Sequence, residues 1–308
     1  MTDQATLVQV SRLYYEGGET QERIATLLGV TRPHVSKLLK EARARGVVEI
    51  RVVDDEQATP LADRLRSRFG LRAVHLAPAI EGDAGAARHR LGRLAAEVLR
   101  GVVRDGHVVG IGAGSSISAV AEAMPSGAAP VDATVVPLCG GFWVSSAGPE
   151  PFRRIAESLG STSRALLAPG VLESAATRDA LWEDPGIRAV RDLWGHLDVA
   201  LVGVGGPTWS DATVGGESLR ELQIGQAIGE LLIQPFDAAG RFVAPGFTAR
   251  TVAFDAARLR GVPTAIAVAA GAGKVRPLRA TLLAGLFGVV VTDVPTAAAI
   301  LAADGAAP

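Results

Sequence analysis

Gln21–Leu39 reads QERIATLLGVTRPHVSKLL, and its spacing predicts a helix-turn-helix. Ile24, Ala25 and Leu28 place apolar atoms on one side of a short helix, Gly29 supplies the left-handed backbone needed to turn, and Thr31 is expected to cap the helix that follows. In that second helix Val35, Leu38, Leu39 and Ala42 recur at helical spacing and should face inward. Ala25 is the small residue expected where the two helices touch. The outward side then carries Pro33, Ser36, Lys37 and Lys40, with Arg32 and His34 on its flanks. From Thr31 to Arg45 five basic residues (Arg32, Lys37, Lys40, Arg43 and Arg45) stand against one acid, Glu41. Thr31, Arg32, Pro33, His34, Ser36, Lys37 and Lys40 are therefore the candidate DNA contacts, because a basic helix of this kind meets phosphates. A two-helix hairpin with a solvated charged face accounts for each feature singly, but not for their conjunction.

The rest of the chain restricts what that module serves. At 308 residues, with 48% hydrophobic residues, 36 Gly and 17 Pro, the sequence predicts two globular domains rich in turns. A net charge of −1 excludes a generally basic nucleic-acid coat, so attraction to DNA must be local to the N-terminus. The lone Cys139 excludes an intramolecular disulfide framework and a cysteine-built zinc site, in keeping with a reducing cytoplasm. No signal peptide is read in MTDQATLVQVSRLYYEGG, and runs such as Val289–Val291 are too short to span a bilayer, so a soluble cytoplasmic protein without membrane partners is expected.

A first helix over about Leu7–Tyr15 should complete the small core, and VVEIRVV (Val47–Val53) should add a wing or brace strand. We place the DNA-binding domain at 1–53, a linker at 54–60 (DDEQATP), and a second domain at 61–308. In the second domain short β-branched runs alternate with helical stretches: AVHLAP, VVGIG, ATVVPLCGG, RALLAP, LDVALVGVGG, PTAIAVAAG and VVVTD. Such alternation predicts an α/β, doubly wound and mainly parallel Rossmann-like sheet. Between Glu217 and Phe247 the pattern breaks, and a strand pair or lid with a turn at Ala239–Gly240 is expected.

Four strands run into small-residue loops: GIGAGSSIS (Gly110–Ser118), LCGGFWVSS (Leu138–Ser146), VGVGGPTWS (Val202–Ser210) and AAGAGK (Ala269–Lys274). In a parallel sheet these gather at the carboxyl edge, where ligands bind. Unpaired amides at a helix begun by Ser115 and Ser116 favour an anion, most often phosphate. The pattern is neither the dinucleotide fingerprint nor a Walker loop. Only three of the 31 Lys plus Arg residues are lysine: Lys37, Lys40 and Lys274. Lys274 ends a strand and can meet a phosphate or hydroxyls. Asp237 either accepts from sugar hydroxyls or caps the turn to Gly240, Arg250 either pairs with an anion or makes a surface salt bridge, and Cys139 packs as a small apolar residue.

Taken in order, YYEGGETQERIATLLGVTRPHVSKLLKEARARGVVEI, VVGIGAGSSISAVAEAM, LVGVGGP, ELLIQPFDAAGR and RTVAFDAARLRGVPTAIAVAAGAGKVRPLRATLLAGLFGVVVTDVPTAAAIL resemble the SorC/DeoR family of bacterial sugar-responsive transcriptional regulators. The resemblance implies an effector domain similar to sugar-phosphate isomerases and deaminases. It further implies a phosphorylated sugar or polyol as effector, and a homodimer or homotetramer on double-stranded operator DNA. Gly112, Gly114, Ser115, Ser116, Gly140, Gly141, Asp237 and Lys274 match its ligand motifs, and Arg250 joins them as a candidate anion partner. The sequence departs from the family pattern at Ala113 and Ser115. No cofactor, metal site or catalytic residue is expected. The alternative is a sugar-phosphate isomerase- or deaminase-like enzyme with an appended DNA-binding module. That reading needs a paired acid and base, yet none of the five histidines lies in the glycine-rich loops.

Overall fold

The computed structural model describes residues 4–48, 58–79, 82–125, 129–141, 150–209 and 214–305. Two compact units divide the chain, Met1–Asp54 and Asp55–Pro308. In the first, α1 (Gln4–Ser11) continues into a wider π-type turn over Arg12–Glu16, followed by α2 (Gln21–Leu28) and α3 (Arg32–Ala44). Leu7 and Val10 of α1, Ile24 and Ala25 of α2, and Val35, Leu38, Leu39 and Ala42 of α3 form one buried cluster. Gly29 closes α2 at φ 65°, the left-handed conformation that the turn requires.

The caps of these two helices differ from expectation. Thr20 caps α2, its hydroxyl accepting the Arg23 N–H at 3.2 Å. The Thr31 hydroxyl caps nothing. The second helical residue, Pro33, has no N–H to give, and the His34 N–H is bound at 3.0 Å to the Thr31 carbonyl instead. Thr20→Ala is expected to lower the melting temperature of the N-terminal unit through a loss of about 1 kcal/mol, whereas Thr31→Ala should leave it unchanged. Of the expected VVEIRVV strand, Val47 and Val48 pack against the cluster, and Glu49–Val53 lie outside the described residues.

The second unit opens with α4 (Ala58–Phe69), which begins inside the expected linker; residues 54–57 are outside the described set. There follow β1 (Ala73–Ala77), α5 (Ala84–Val102), β2 (Val108–Ile111), α6 (Ser115–Ala123), β3 (Thr134–Pro137), α7 (Pro151–Leu159), β4 (Thr162–Ser163), α8 (Ala175–Trp182), α9 (Pro185–Trp194) and β5 (Val199–Gly203). Then come α10 (Gly216–Ile224), β6 (Gly229–Leu231), β7 (Gln234–Phe236), α11 (Pro245–Thr248), β8 (Thr264–Val268), α12 (Val275–Leu283), β9 (Val289–Asp293) and α13 (Val294–Gly305). Seven strands form one parallel sheet in the order β1-β9-β8-β5-β2-β3-β4.

Both faces of that sheet are covered, which is why its strands read as near-continuous apolar runs. Val199, Leu201, Ile266 and Val268 face a core shared with Leu91 and Leu99 of α5, Ile117 of α6 and Ile155 of α7. Their neighbours Ala200, Val202, Ala265 and Ala267 face the other core, with Leu65 of α4, Trp194 of α9, Leu278 of α12 and Ile300 of α13. Trp194 satisfies its indole N–H on the Pro137 carbonyl at 3.0 Å.

Two local expectations are corrected. RALLAP is not a strand: Leu166 and Ala168 are buried while Leu167 is 83% exposed. The alternation that imitates a strand is the burial of an irregular segment that leaves β3 after the Arg164 N–H to Val135 carbonyl bond. The strand pair expected after Glu217 exists as antiparallel β6 and β7, but its tight turn is Leu232–Ile233, with φ 50° and 69°. Ala239–Gly240 forms a second turn, beyond which Phe242 bridges back to Phe236.

Candidate functional site

The four loop-bearing strands β8, β5, β2 and β3 are consecutive in the sheet and parallel, so their loops share one edge. The connection from β2 leads to β3 on one side, and that from β5 leads on to β8 on the other. The carboxyl ends of β2 and β5 therefore border a topological switch point, the crevice where doubly wound sheets bind ligands.

The predicted residues divide by what their amides do. The Gly112 N–H is bound to the Leu201 carbonyl at 2.8 Å, and those of Gly140 and Gly141 to Val252 and Ala168 at 2.8 and 2.9 Å. None of the three offers a free donor, and Gly112 and Gly140 make room: a Cβ on Gly140 would stand 2.5 Å from the Pro169 carbonyl oxygen. On Gly112 it would press on the Leu232 side chain at 3.3 Å. Gly114 differs, with φ 107° and ψ 169° at the start of α6, a backbone that only glycine adopts readily. The first backbone bond there is Ser118 N–H to Gly114 carbonyl, so among the described residues the amides of Ser115 and Ser116 have no acceptor. Those two amides stand at the positive end of a helix dipole, where backbone donors favour a negative charge.

Asp237 and Arg250 are engaged elsewhere. Asp237 caps the second turn, one oxygen accepting from Ala239 and Arg241 N–H at 2.9 and 3.0 Å, the other from the Arg241 guanidinium at 2.9 Å. Burial pushes its carboxyl up, but the Arg241 guanidinium and these N–H bonds outweigh that and hold it below the ordinary carboxylate value. Arg250 donates to the Leu172 carbonyl and the Ser218 hydroxyl at 3.2 and 2.5 Å and lies over the Phe247 ring. It fastens α10 to the segment before β8.

Lys274 is where the edge becomes chemically distinctive. It ends a short turn entered through Gly271 (φ 100°), whose N–H is held by the Thr296 hydroxyl at 2.7 Å. Among the described residues its ammonium has no hydrogen-bond partner, and Nζ lies 3.8 Å from where a Cβ on Gly206 would be. Burial lowers its pKa, and the charge of Glu230 opposes that shift.

Glu230 was missed in the sequence because it sits in an apolar run, IGELLIQPF, with no motif around it. The fold places it at the edge: its backbone pairs with Gly205 in both directions, at 2.9 and 3.2 Å, and its carboxylate accepts the Ile233 N–H at 2.8 Å. Desolvation raises its pKa, against the Ile233 N–H and the Lys274 charge. Burial, helped by Glu230, pushes the Cys139 thiol up to about 12, which makes it an inert packing residue as expected.

In the N-terminal unit all seven predicted contacts are exposed, Thr31 just before α3 and Arg32, Pro33, His34, Ser36, Lys37 and Lys40 on it. Arg45 pairs with Glu41, while among the described residues Arg32, Lys37 and Lys40 have no ion-pair partner. Two clefts of about 370 and 360 Å³, sharing Arg260, Gly261 and Val262, open at the amino edge of the sheet and hold none of the predicted residues. Among the described residues no group of His, Cys, Asp or Glu is arranged to hold a metal. No described helix is long and apolar enough to cross a membrane.

Known proteins agree with this architecture. Residues 54–302 match the Sugar-bind family, described as "Putative sugar-binding domain". The deoxyribonucleoside regulator of Bacillus subtilis (strain 168) is 29% identical over 96% of this chain and 96% of its own length. The sorbitol operon regulator of Klebsiella pneumoniae is 26% identical over 96% and 97%. The crystal structure of the full-length sorbitol operon regulator from Klebsiella pneumoniae superposes with a TM-score of 0.79 and 25% identity, covering 98% of this chain and all of the other. The chain therefore belongs to the Sugar-bind family and is a transcriptional regulator of the SorC/DeoR type.

Proposed function

We propose that this regulator binds double-stranded operator DNA through α3 as a homodimer or homotetramer in the cytoplasm, represses a sugar or polyol catabolic operon, and is controlled by a phosphorylated sugar or polyol. The observation that carries the effector half is the half-buried Lys274 ammonium, without a hydrogen-bond partner among the described residues, at the edge that also presents the Ser115 and Ser116 amides. Such a site takes an anionic, hydroxylated ligand. Gly112, Gly114, Gly140 and Gly141 shape the approach. Asp237 fixes the second turn and Arg250 fastens α10. The DNA half rests on Arg32, Lys37 and Lys40, exposed on α3 and without an ion-pair partner among the described residues.

Two recognition helices related by symmetry must lie about 34 Å apart to enter successive major grooves. An effector bound at the sheet edge can then act by changing that spacing, and operator and effector affinities are linked reciprocally. A panel of pentose, hexose and polyol phosphates, screened by thermal shift, tests the effector half. A true effector at 100 times its Kd is expected to stabilise the protein by about 2.7 kcal/mol. Lys274→Met should remove most of that stabilisation; retention of all of it would overturn the assignment. Because burial lowers the Lys274 pKa, effector affinity should fall as pH rises through that pKa, earlier than an ordinary lysine would dictate.

The enzyme alternative gains one observation, because β6 brings the Glu230 carboxylate to the same edge as Lys274, an acid and a base that the sequence did not bring together. The relatives are named as regulators, which favours a non-enzyme. Turnover of any phosphosugar by the purified chain, abolished in Lys274→Met, would reverse that choice.

A further inference from the structure

We infer that the two clefts at the amino edge of the sheet form a second ligand site, for an organic phosphate with an apolar body. Arg72 and Arg260 meet its phosphate, and the wall of Leu197, Phe254 and Val262 takes the rest of the molecule. The inference is independent of Lys274. Arg72, Pro263 and Gly288 directly precede the neighbouring strands β1, β8 and β9, whereas Lys274 follows β8 at its other end. β8 is five residues long, so about 16 Å of strand separates the two edges.

The first observation is charge without a counterion. Among the described residues Arg72, Arg258 and Arg260 have neither an ion-pair partner nor a side-chain hydrogen bond, and no acid lines either cleft. The acids nearest in sequence are engaged: Asp255 accepts the Ala257 N–H at 3.0 Å, and Asp198 the Val108 N–H at 2.9 Å. Helices of a doubly wound fold end at this edge, where arginines ordinarily donate to the last carbonyls. These arginines do not. At the end of α12 the Gly285 and Leu286 N–H groups already bind the Leu282 and Thr281 carbonyls, at 3.0 and 3.3 Å.

The second observation is a seat for the guanidinium. A Cβ on Gly288 would stand 2.8 Å from Arg72 Nε and 2.9 Å from Nη2, so the guanidinium fills the space that a side chain there would take. The Arg72 N–H binds the Gly288 carbonyl at 2.8 Å and fixes the arginine at its root. Phe287, buried in the same cleft, has an N–H without an acceptor among the described residues, a donor that buried backbone rarely leaves unpaired. A phosphate in this cleft offers acceptors to both guanidinium forks and to a backbone donor.

The third observation is the adjoining cleft, which shares Arg260 and whose side chains are apolar apart from Arg258 and Arg260. Trp194 spends its indole N–H on the Pro137 carbonyl, so the wall it joins is hydrocarbon. Clefts of about 370 and 360 Å³ suit a small molecule. A hydroxylated sugar suits this wall poorly, which separates the ligand class from that of the carboxyl edge.

Phenyl phosphate is the probe, with inorganic phosphate as the counterpart that lacks an apolar body, each titrated calorimetrically into Lys274→Met so that only the amino edge is read. Phenyl phosphate should bind, and more tightly than inorganic phosphate. Adding Arg72→Ala or Arg260→Ala should weaken it about tenfold each, the size of one charge-assisted hydrogen bond. Both arginines are exposed and outside the core clusters, so these variants should melt with their parent. Gly288→Ala keeps both arginines but pushes the Arg72 guanidinium from its seat, and should weaken binding in the same direction. Binding that is indifferent to all three substitutions, or no tighter for phenyl phosphate than for inorganic phosphate, would overturn the inference. Phenyl phosphate binding to the native chain that vanishes in Lys274→Met would also overturn it, by placing the probe at the carboxyl edge and leaving the effector reading intact.

Discussion

Operator affinity of the double variant Lys37→Ala, Lys40→Ala is expected to fall by about 60-fold at 0.1 M salt, with the slope of log K against log salt reduced by about 2. Both lysines are exposed on α3, neither has an ion-pair partner among the described residues, and neither belongs to the cluster that holds the three helices together. Each phosphate neutralised releases about 0.9 counterion, so two lost contacts remove about 1.8 from the slope, and that exponent at 0.1 M gives the affinity factor. The loss should be the same on specific and unrelated DNA, because phosphates carry no sequence. A fluorescence-anisotropy titration at several salt concentrations measures both quantities. An unchanged slope would mean that α3 does not face the backbone in this way.

Gly92→Ala is expected to destabilise the second unit by about 2–3 kcal/mol and to weaken effector binding with it. Gly92 lies in α5 where that helix crosses α6, and a Cβ there would stand 2.4 Å from the carbonyl oxygen of Ala119. That atom is backbone, so no side chain can turn aside, and α6 must move as a body. Since α6 begins at Ser115, the displacement carries the amides of Ser115 and Ser116 away from the edge. Thermal unfolding should show a fall of several degrees. A variant that melts like the native protein would show that α5 and α6 are not in such close contact.

The sequence disclosed most where local chemistry and fold agree. Gly29 is left-handed because a turn between two short helices demands it, and the inward set Val35, Leu38, Leu39 and Ala42 follows from helical period alone. The parallel sheet was legible because strands covered on both faces must be apolar throughout, as Val199–Val202 and Val289–Val291 are. Legibility failed where tertiary contacts decide. RALLAP alternates in burial but pairs only in isolated places, through Arg164 with Val135 and through Ala168–Pro169 with Gly141. Leu232–Ile233 carries no turn residue; burial of both side chains and backbone bonds from Glu230 and Gln234 on the flanking strands hold it in left-handed backbone. Thr31 looks like a cap because caps are read from the residue itself, whereas the missing donor belongs to Pro33.

At the candidate site the motif glycines were visible but their division of labour was not. Gly114 exposes two amides, while Gly112, Gly140 and Gly141 have theirs engaged by Leu201, Val252 and Ala168. Glu230 comes to the loop edge because β6 bridges to Gly205, a pairing distant in sequence.

The most direct test of metabolite control is the affinity of the native chain for its operator, with and without the phosphosugar that stabilises it in the thermal-shift screen. The expected result is a 5- to 150-fold change, in one direction, that is absent in Lys274→Met although that variant still binds operator normally without effector. An effector that binds at Lys274 and leaves operator affinity unchanged would contradict the account.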